Sequence, residues 1–268
     1  MVKWRSYAAI TALATALFAG CATAVFAQVP GPGAAYVLLP AGTLKSVLAG
    51  DADKGPTPIP AFSMRVLPVT QGEFLRFVSK QPQWQRQNIA LTFADASYLQ
   101  DWQASLKLNN DTSALRPVVN ISWFAAQAFC EDEGGRLPTW LEWEYAAAAD
   151  ATRTDARRDP QWLARILGWY ARPASTAPAP VGGERNVYGV RDLHGLVWEW
   201  VDDFNSLLVS VDSRAQGDPD KLQFCGAGAI SLQDRDNYAV LMRIALLSSL
   251  RASDSTSSLG FRCVREPS

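Results

Sequence analysis

One histidine and four cysteines among 268 residues limit the metal chemistry that this chain can support. A zinc or iron site built from three histidines is excluded, and zinc ribbons need more thiols than the chain provides. An excess of one charge is also missing, because 25 Lys and Arg residues stand against 26 Asp and Glu residues. Nucleic-acid-binding domains ordinarily carry a basic excess, so a nucleic-acid partner is not expected.

The first 27 residues have the pattern of a secretory signal peptide. Lys3 and Arg5 give a short basic start, and an apolar run over residues 7–18 follows it. Small side chains stand at Val25 and Ala27, the −3 and −1 positions of a cleavage site after Ala27. The apolar run is too short for a permanent transmembrane anchor. The pattern therefore predicts export to the periplasm or secretion.

Cleavage after Ala27 leaves residues 28–268, which are expected to form a single domain. An alternative stays open at Cys21, which follows Phe18-Ala19-Gly20 and resembles a lipoprotein attachment site. The mature chain keeps three cysteines, enough for one disulfide in an oxidising compartment with one thiol left over.

Local signals predict helices and strands that do not alternate regularly along the chain. Thr70 with Glu73, and Thr139 with Glu142, have the spacing of capping boxes at helix starts. Ser122 is a further N-cap signal, and the Asp159-Pro160 pair suits the start of another helix. Residues 61–66 alternate as a strand. The sequence therefore predicts an α+β fold with much irregular loop.

Five segments together resemble one protein family. They are VLLPAG at 37–42, residues 66–78 around VLPVT and EFLRFV, residues 117–147 including GRLPT and EWEYAA, NVYGVRDLHGLVWEW at 186–200, and LGFRC at 259–263. This is the formylglycine-generating enzyme, or sulfatase-modifying factor, family, and the resemblance spans residues 36–266. It implies the family's α+β fold, which is related to C-type lectins.

The resemblance also implies two devices that hold a loop-rich fold together. Cys130 and Cys263 occupy the positions of a family disulfide; the alternative is two buried free thiols. A structural calcium ion is implied in the loop from Asp192 to Glu199. Its ligands would be the side chains of Asp192 and Glu199 and the carbonyls of Gly195 and Val197, a donor set that suits Ca²⁺. The alternative is that Asp192 caps a turn and Glu199 pairs with an arginine.

The family's oxidase reaction uses copper held by two enzyme cysteines, and this chain lacks them. No cysteine stands between Gly226 and Arg262, where the pair should lie. Copper at a two-cysteine site is therefore not expected, because Cu(I) needs soft thiolate ligands. The catalytic residues stay unknown. Cys225 is the one candidate thiol, and Arg243, Arg251 and Arg262 could favour its thiolate form. The alternative is that Cys225 is a buried small apolar residue.

Two functional hypotheses follow. The first is an exported maturation factor, similar to the family branches associated with pyoverdine maturation and nitrite reductase, which binds a peptide or peptide-like substrate and assists its oxidation. The second is a non-catalytic, calcium-stapled binding or scaffold module that is accessory to a metalloenzyme or a siderophore pathway. His194, inside the predicted calcium loop, is interpreted as a structural hydrogen-bonding residue.

Overall fold

A computed structural model of the chain describes residues 35–46, 55–170, 177–207 and 238–267. The predicted signal peptide, Cys21 and Cys225 lie outside these residues. None of the helices in the described ranges is both long and apolar enough to cross a membrane.

Short strands form three small sheets in the described part of the chain. The strands are β1 (Tyr36–Leu39), β2 (Gly42–Leu44), β3 (Thr57–Ile59), β4 (Phe62–Arg65), β5 (Trp198–Glu199), β6 (Leu259–Gly260) and β7 (Val264–Arg265). Strands β1, β4 and β7 form an antiparallel sheet in that order, and β2 pairs with β3. The parallel pair β5–β6 places Glu199 opposite Gly260. Distant segments of the sequence therefore meet beside Glu199.

Five helices account for most of the regular structure of the described residues. They are α1 (Gln71–Lys80), α2 (Trp123–Asp132), α3 (Trp140–Ala147), α4 (Pro160–Tyr170) and α5 (Tyr238–Ser248). Both predicted capping boxes are present, at Thr70 and Thr139, and Ser122 caps α2. The prediction of an α+β fold is confirmed, and its short elements leave much of the chain to loops.

The hydrophobic core joins the N-terminal sheet, the helices and the C-terminal segment. Phe74 of α1, Phe129 of α2 and Phe261 contact one another, with ring centroids 5.4–6.2 Å apart. A disulfide joins Cys130 of α2 to Cys263, and both residues are fully buried. These contacts fix the segment around β6 and β7, which carries Arg262, against α2.

Candidate functional site

A buried ion pair between Glu199 and Arg262 lies at the centre of the site, and both side chains are 0% exposed. Arg262 Nη2 lies 2.7 Å from Glu199 Oε1, and Arg262 Nε lies 2.8 Å from Oε2. The indole Nε1 of Trp143 donates to Oε2 at 2.7 Å. The fork of the guanidinium thus matches the two carboxylate oxygens, which is the strongest geometry for such a pair.

Arg243, on α5, is a second buried arginine in contact with Glu199. Its guanidinium carbon lies 3.4 Å from the ring centroid of Trp143 and 5.7 Å from that of Trp140, and its Nη2 donates to the Glu199 carbonyl. A guanidinium over an indole face is held by the ring's quadrupole as well as by dispersion. Arg243 therefore attaches α5 to the elements that carry Glu199 and Trp143.

Asp192 holds a turn. Its backbone has a φ of 60°, and its two carboxylate oxygens accept hydrogen bonds from the backbone N–H groups of Gly182 and Gly183, at 2.7 and 2.8 Å. The guanidinium of Arg191 donates to the carbonyls of the same two glycines. The segment before residue 184 is thereby bound to the start of the loop that ends at Glu199.

These contacts bear on the predicted calcium site. Each oxygen of Asp192 and of Glu199 already accepts a hydrogen bond from the protein. Gly195 has a φ of 92°, which permits the sharp turn expected there, and Val197 is buried. The two side chains as arranged do not fit a calcium ion, since a cation would have to compete with these donors. Both carboxylates have the roles that the sequence analysis gave as the alternative: Asp192 caps a turn and Glu199 pairs with an arginine. Calcium binding itself stays a prediction.

His194 has the geometry of a structural residue. Its Nε2 lies 2.8 Å from the carbonyl oxygen of Ala147, and its ring packs edge-on against Trp143 and Trp162. Because a carbonyl only accepts hydrogen bonds, Nε2 carries the proton. Burial lowers the pKa of His194 from its usual 6.5 to about 4, so the ring is neutral at pH 7. Its Nδ1 is buried without a hydrogen-bond partner.

The three arginines proposed as neighbours of a reactive thiol lie in different surroundings. Arg243 and Arg262 meet at Glu199, whereas the side chain of Arg251 is 81% exposed and pairs with Asp254. Cys225 lies outside the described residues, so its role as a nucleophile or as a buried residue stays a prediction. Two of the three arginines, Arg243 and Arg262, thus contact the same residue, Glu199.

Sequence reasoning missed two contributors to this site. Trp143 lies inside the matched segment 117–147 without being singled out, yet its indole N–H binds Glu199 and its ring face binds Arg243. Arg191 was not singled out, although it directly precedes Asp192 and binds the Gly182–Gly183 turn. The adjacent Gly182 and Gly183 were the available signal for this turn. Two consecutive N–H groups can bind one carboxylate only where the backbone approaches it closely, and glycine permits that approach.

Comparison with known families agrees with this fold. The model of the sulfatase-modifying factor enzyme 1-like domain matches residues 22–267. The chain belongs to this family, the one that its sequence motifs indicated.

Curated relatives of known name match part of the chain. Hercynine oxygenase of Mycobacterium tuberculosis is 32% identical over 167 residues, covering 53% of this chain and 37% of the relative. The formylglycine-generating enzyme of Streptomyces coelicolor is 34% identical over 171 residues, covering 56% and 52%. The inactive C-alpha-formylglycine-generating enzyme 2 of Bos taurus is 30% identical over 159 residues, covering 55% and 49%. The alignments span about half of these relatives or less.

Solved structures are also similar over most of the chain. PvdO from Pseudomonas aeruginosa aligns with a TM-score of 0.45 and 19% identity, covering 87% of this chain and 94% of PvdO. CarF aligns with the same TM-score and 18% identity, covering 87% of this chain and 98% of CarF.

Proposed function

We propose that this protein is an exported maturation factor of the formylglycine-generating enzyme family, which binds a peptide or peptide-like substrate and does not carry out the copper-dependent reaction. The observation that carries this proposal is the absence of any cysteine from Gly226 to Arg262 within a chain that otherwise keeps the family's motifs. Export rests on the signal-peptide pattern that ends at Ala27.

The missing ligands limit which oxidation the protein can assist. Two thiolates are needed to hold Cu(I) in the family reaction, and Cys225 is the one thiol left in the mature chain once Cys130 and Cys263 are joined. A three-histidine iron site is excluded as well, because the chain has one histidine, whose Nε2 is bonded to the carbonyl of Ala147. Any oxidation therefore needs another acceptor or metal.

A second function is a binding or scaffold module without catalysis. Its support is the similarity to a relative that is itself named inactive, together with a centre made of fully paired structural groups. Arg262, Glu199 and Trp143 are engaged with one another in the core, an arrangement suited to stability. Under this proposal, Cys225 has no chemical role and the fold serves as a recognition surface.

The direct test is an oxidation assay with the purified mature chain. A cysteine peptide of the sulfatase type is incubated with the protein, copper, a reductant and O₂, and mass spectrometry follows conversion of the thiol to an aldehyde. We expect no conversion, while the Streptomyces coelicolor formylglycine-generating enzyme, run in parallel, converts the peptide. Conversion by this protein at a comparable rate would refute the proposal.

A second experiment separates the two functions. In a host lacking the native gene, the pathway product whose maturation fails is measured after complementation with wild type or with Cys225→Ser. Loss of the product with Cys225→Ser, at equal protein level, supports a thiol-dependent maturation step. Full complementation excludes a thiol mechanism, and metal analysis that finds neither copper nor iron then favours the scaffold.

A further inference from the structure

We infer that this chain closes the loop from Asp192 to Glu199 with its own hydrogen-bond donors and guanidinium groups, so that its stability does not depend on calcium. The inference concerns this loop alone and holds whether or not the protein is catalytic. It rests on three independent features: the occupied oxygens of Glu199, the turn bound by Asp192, and the balance of charge around the loop.

Of the two predicted carboxylate ligands, Glu199 is the less available to a calcium ion. Its side chain is 0% exposed, and both oxygens are bound by Arg262 and Trp143 at 2.7–2.8 Å. Because Oε2 accepts from both Arg262 Nε and Trp143 Nε1, a cation that took this oxygen would leave a buried guanidinium or indole N–H without an acceptor. Unpaired buried donors of this kind are strongly disfavoured.

Asp192 is engaged by a turn that requires glycine. A Cβ added at Gly183 would lie 2.6 Å from Asp192 Oδ1, closer than real Cβ contacts allow. The missing side chain therefore lets the backbone N–H of Gly183 reach the carboxylate. The second oxygen accepts from Gly182, whose φ is 109°. Each oxygen of Asp192 thus already has a backbone donor from this turn, with which a cation would have to share it.

Charge around the loop also disfavours a divalent cation. Among the described residues, the guanidinium groups of Arg191, Arg243 and Arg262 all bind the loop or the turn next to it. The two carboxylates of Asp192 and Glu199 are thereby balanced before any ion arrives. Adding two positive charges to this partly buried cluster would be costly, because buried charges need compensating partners.

The test compares thermal unfolding of the purified mature chain with EGTA and with calcium. A ligand that binds the folded state raises its melting temperature, and about 5 mM calcium exceeds the Kd of weak protein sites, which reaches ~1 mM. We expect the same melting temperature in both buffers, and in magnesium. A lower melting temperature in EGTA that calcium restores and magnesium does not would overturn the inference.

A pair of glycine variants tests the turn itself. Gly183→Ala places a methyl group against Asp192 and should lower the melting temperature by the same amount in EGTA and in calcium. Gly168→Ala on α4 is the control, since nothing lies within 4 Å of an added Cβ there, and its melting temperature should not fall. Equal melting temperatures for Gly183→Ala and wild type would show that the turn does not hold Asp192 and would refute the inference. If Gly183→Ala fails to fold, the wild-type comparison still decides.

Discussion

Replacing Arg262 by methionine is the substitution whose effect the structure defines best. Methionine keeps most of the side-chain length but removes the guanidinium, so Glu199 stays buried with its charge uncompensated by its main partner. Removing one member of a buried ion pair costs ~3–5 kcal/mol. In a domain of this size, each kcal/mol shifts the melting temperature by about 2–4 °C, so we expect a fall of roughly 6–20 °C.

The matched control is Arg251→Met, which removes the same group from an exposed ion pair. The side chain of Arg251 is 81% exposed, and its partner is Asp254. Exposed pairs contribute about 0–1 kcal/mol, so the melting temperature should change little. Both variants are compared with wild type by urea unfolding and by thermal circular dichroism. Equal losses for the two variants would contradict the proposed role of the buried pair.

A double variant separates charge from packing. Glu199→Gln removes the uncompensated charge from the Arg262→Met background while keeping an oxygen for Trp143 Nε1. If buried charge causes most of the loss, the double variant is more stable than Arg262→Met alone, and the coupling free energy is favourable. A double variant that loses the sum of the two single effects would instead assign the cost to packing.

Two further predictions concern the disulfide and the histidine. Replacing both Cys130 and Cys263 by serine should lower the free energy of unfolding by roughly 2–5 kcal/mol, measured by urea denaturation, because the bridge closes a long loop with a sequence separation of 133. A loss confined to experimental error would contradict a structural role for the bridge. The pKa of His194 lies near 6.5 when unfolded and about 4 when folded, so between these values the unfolded state binds more protons. Stability should therefore fall as pH decreases from 6.5 towards 4, and His194→Phe should flatten this part of the profile measured by urea midpoints; an unchanged profile would refute the assignment.

The helix starts could be predicted from the sequence because their signals are local. Thr70 and Thr139 each accept the N–H of a glutamate three residues later, and Ser122 accepts that of Ala125. Side chains that bind backbone groups within one turn leave a fixed spacing in the sequence. The strand at Phe62–Arg65 was recognised for a similar reason, since alternation is a local pattern.

The partners of the loop residues could not be derived in the same way. The sequence offers many arginines that could pair with Glu199, and only the folded chain shows that Arg262 does so across 63 positions of sequence. The contact between Gly183 and Asp192 likewise depends on how a turn approaches a loop. Family resemblance predicted a cation between Asp192 and Glu199, because it compares the ligand residues alone. It carries no information about the donors that hydrogen-bond to these carboxylates in the folded chain.

The positions of the stabilising groups help to explain how a chain of this family can lack the cysteine pair and keep its fold. The disulfide, the Arg262–Glu199 pair and the capped helices α1 and α3 all lie outside positions 227–261, the segment in which the family's cysteine pair is expected. The absence of cysteines from that segment therefore need not affect any of these contacts. The oxidation assay and the unfolding experiments can therefore give independent answers for this protein.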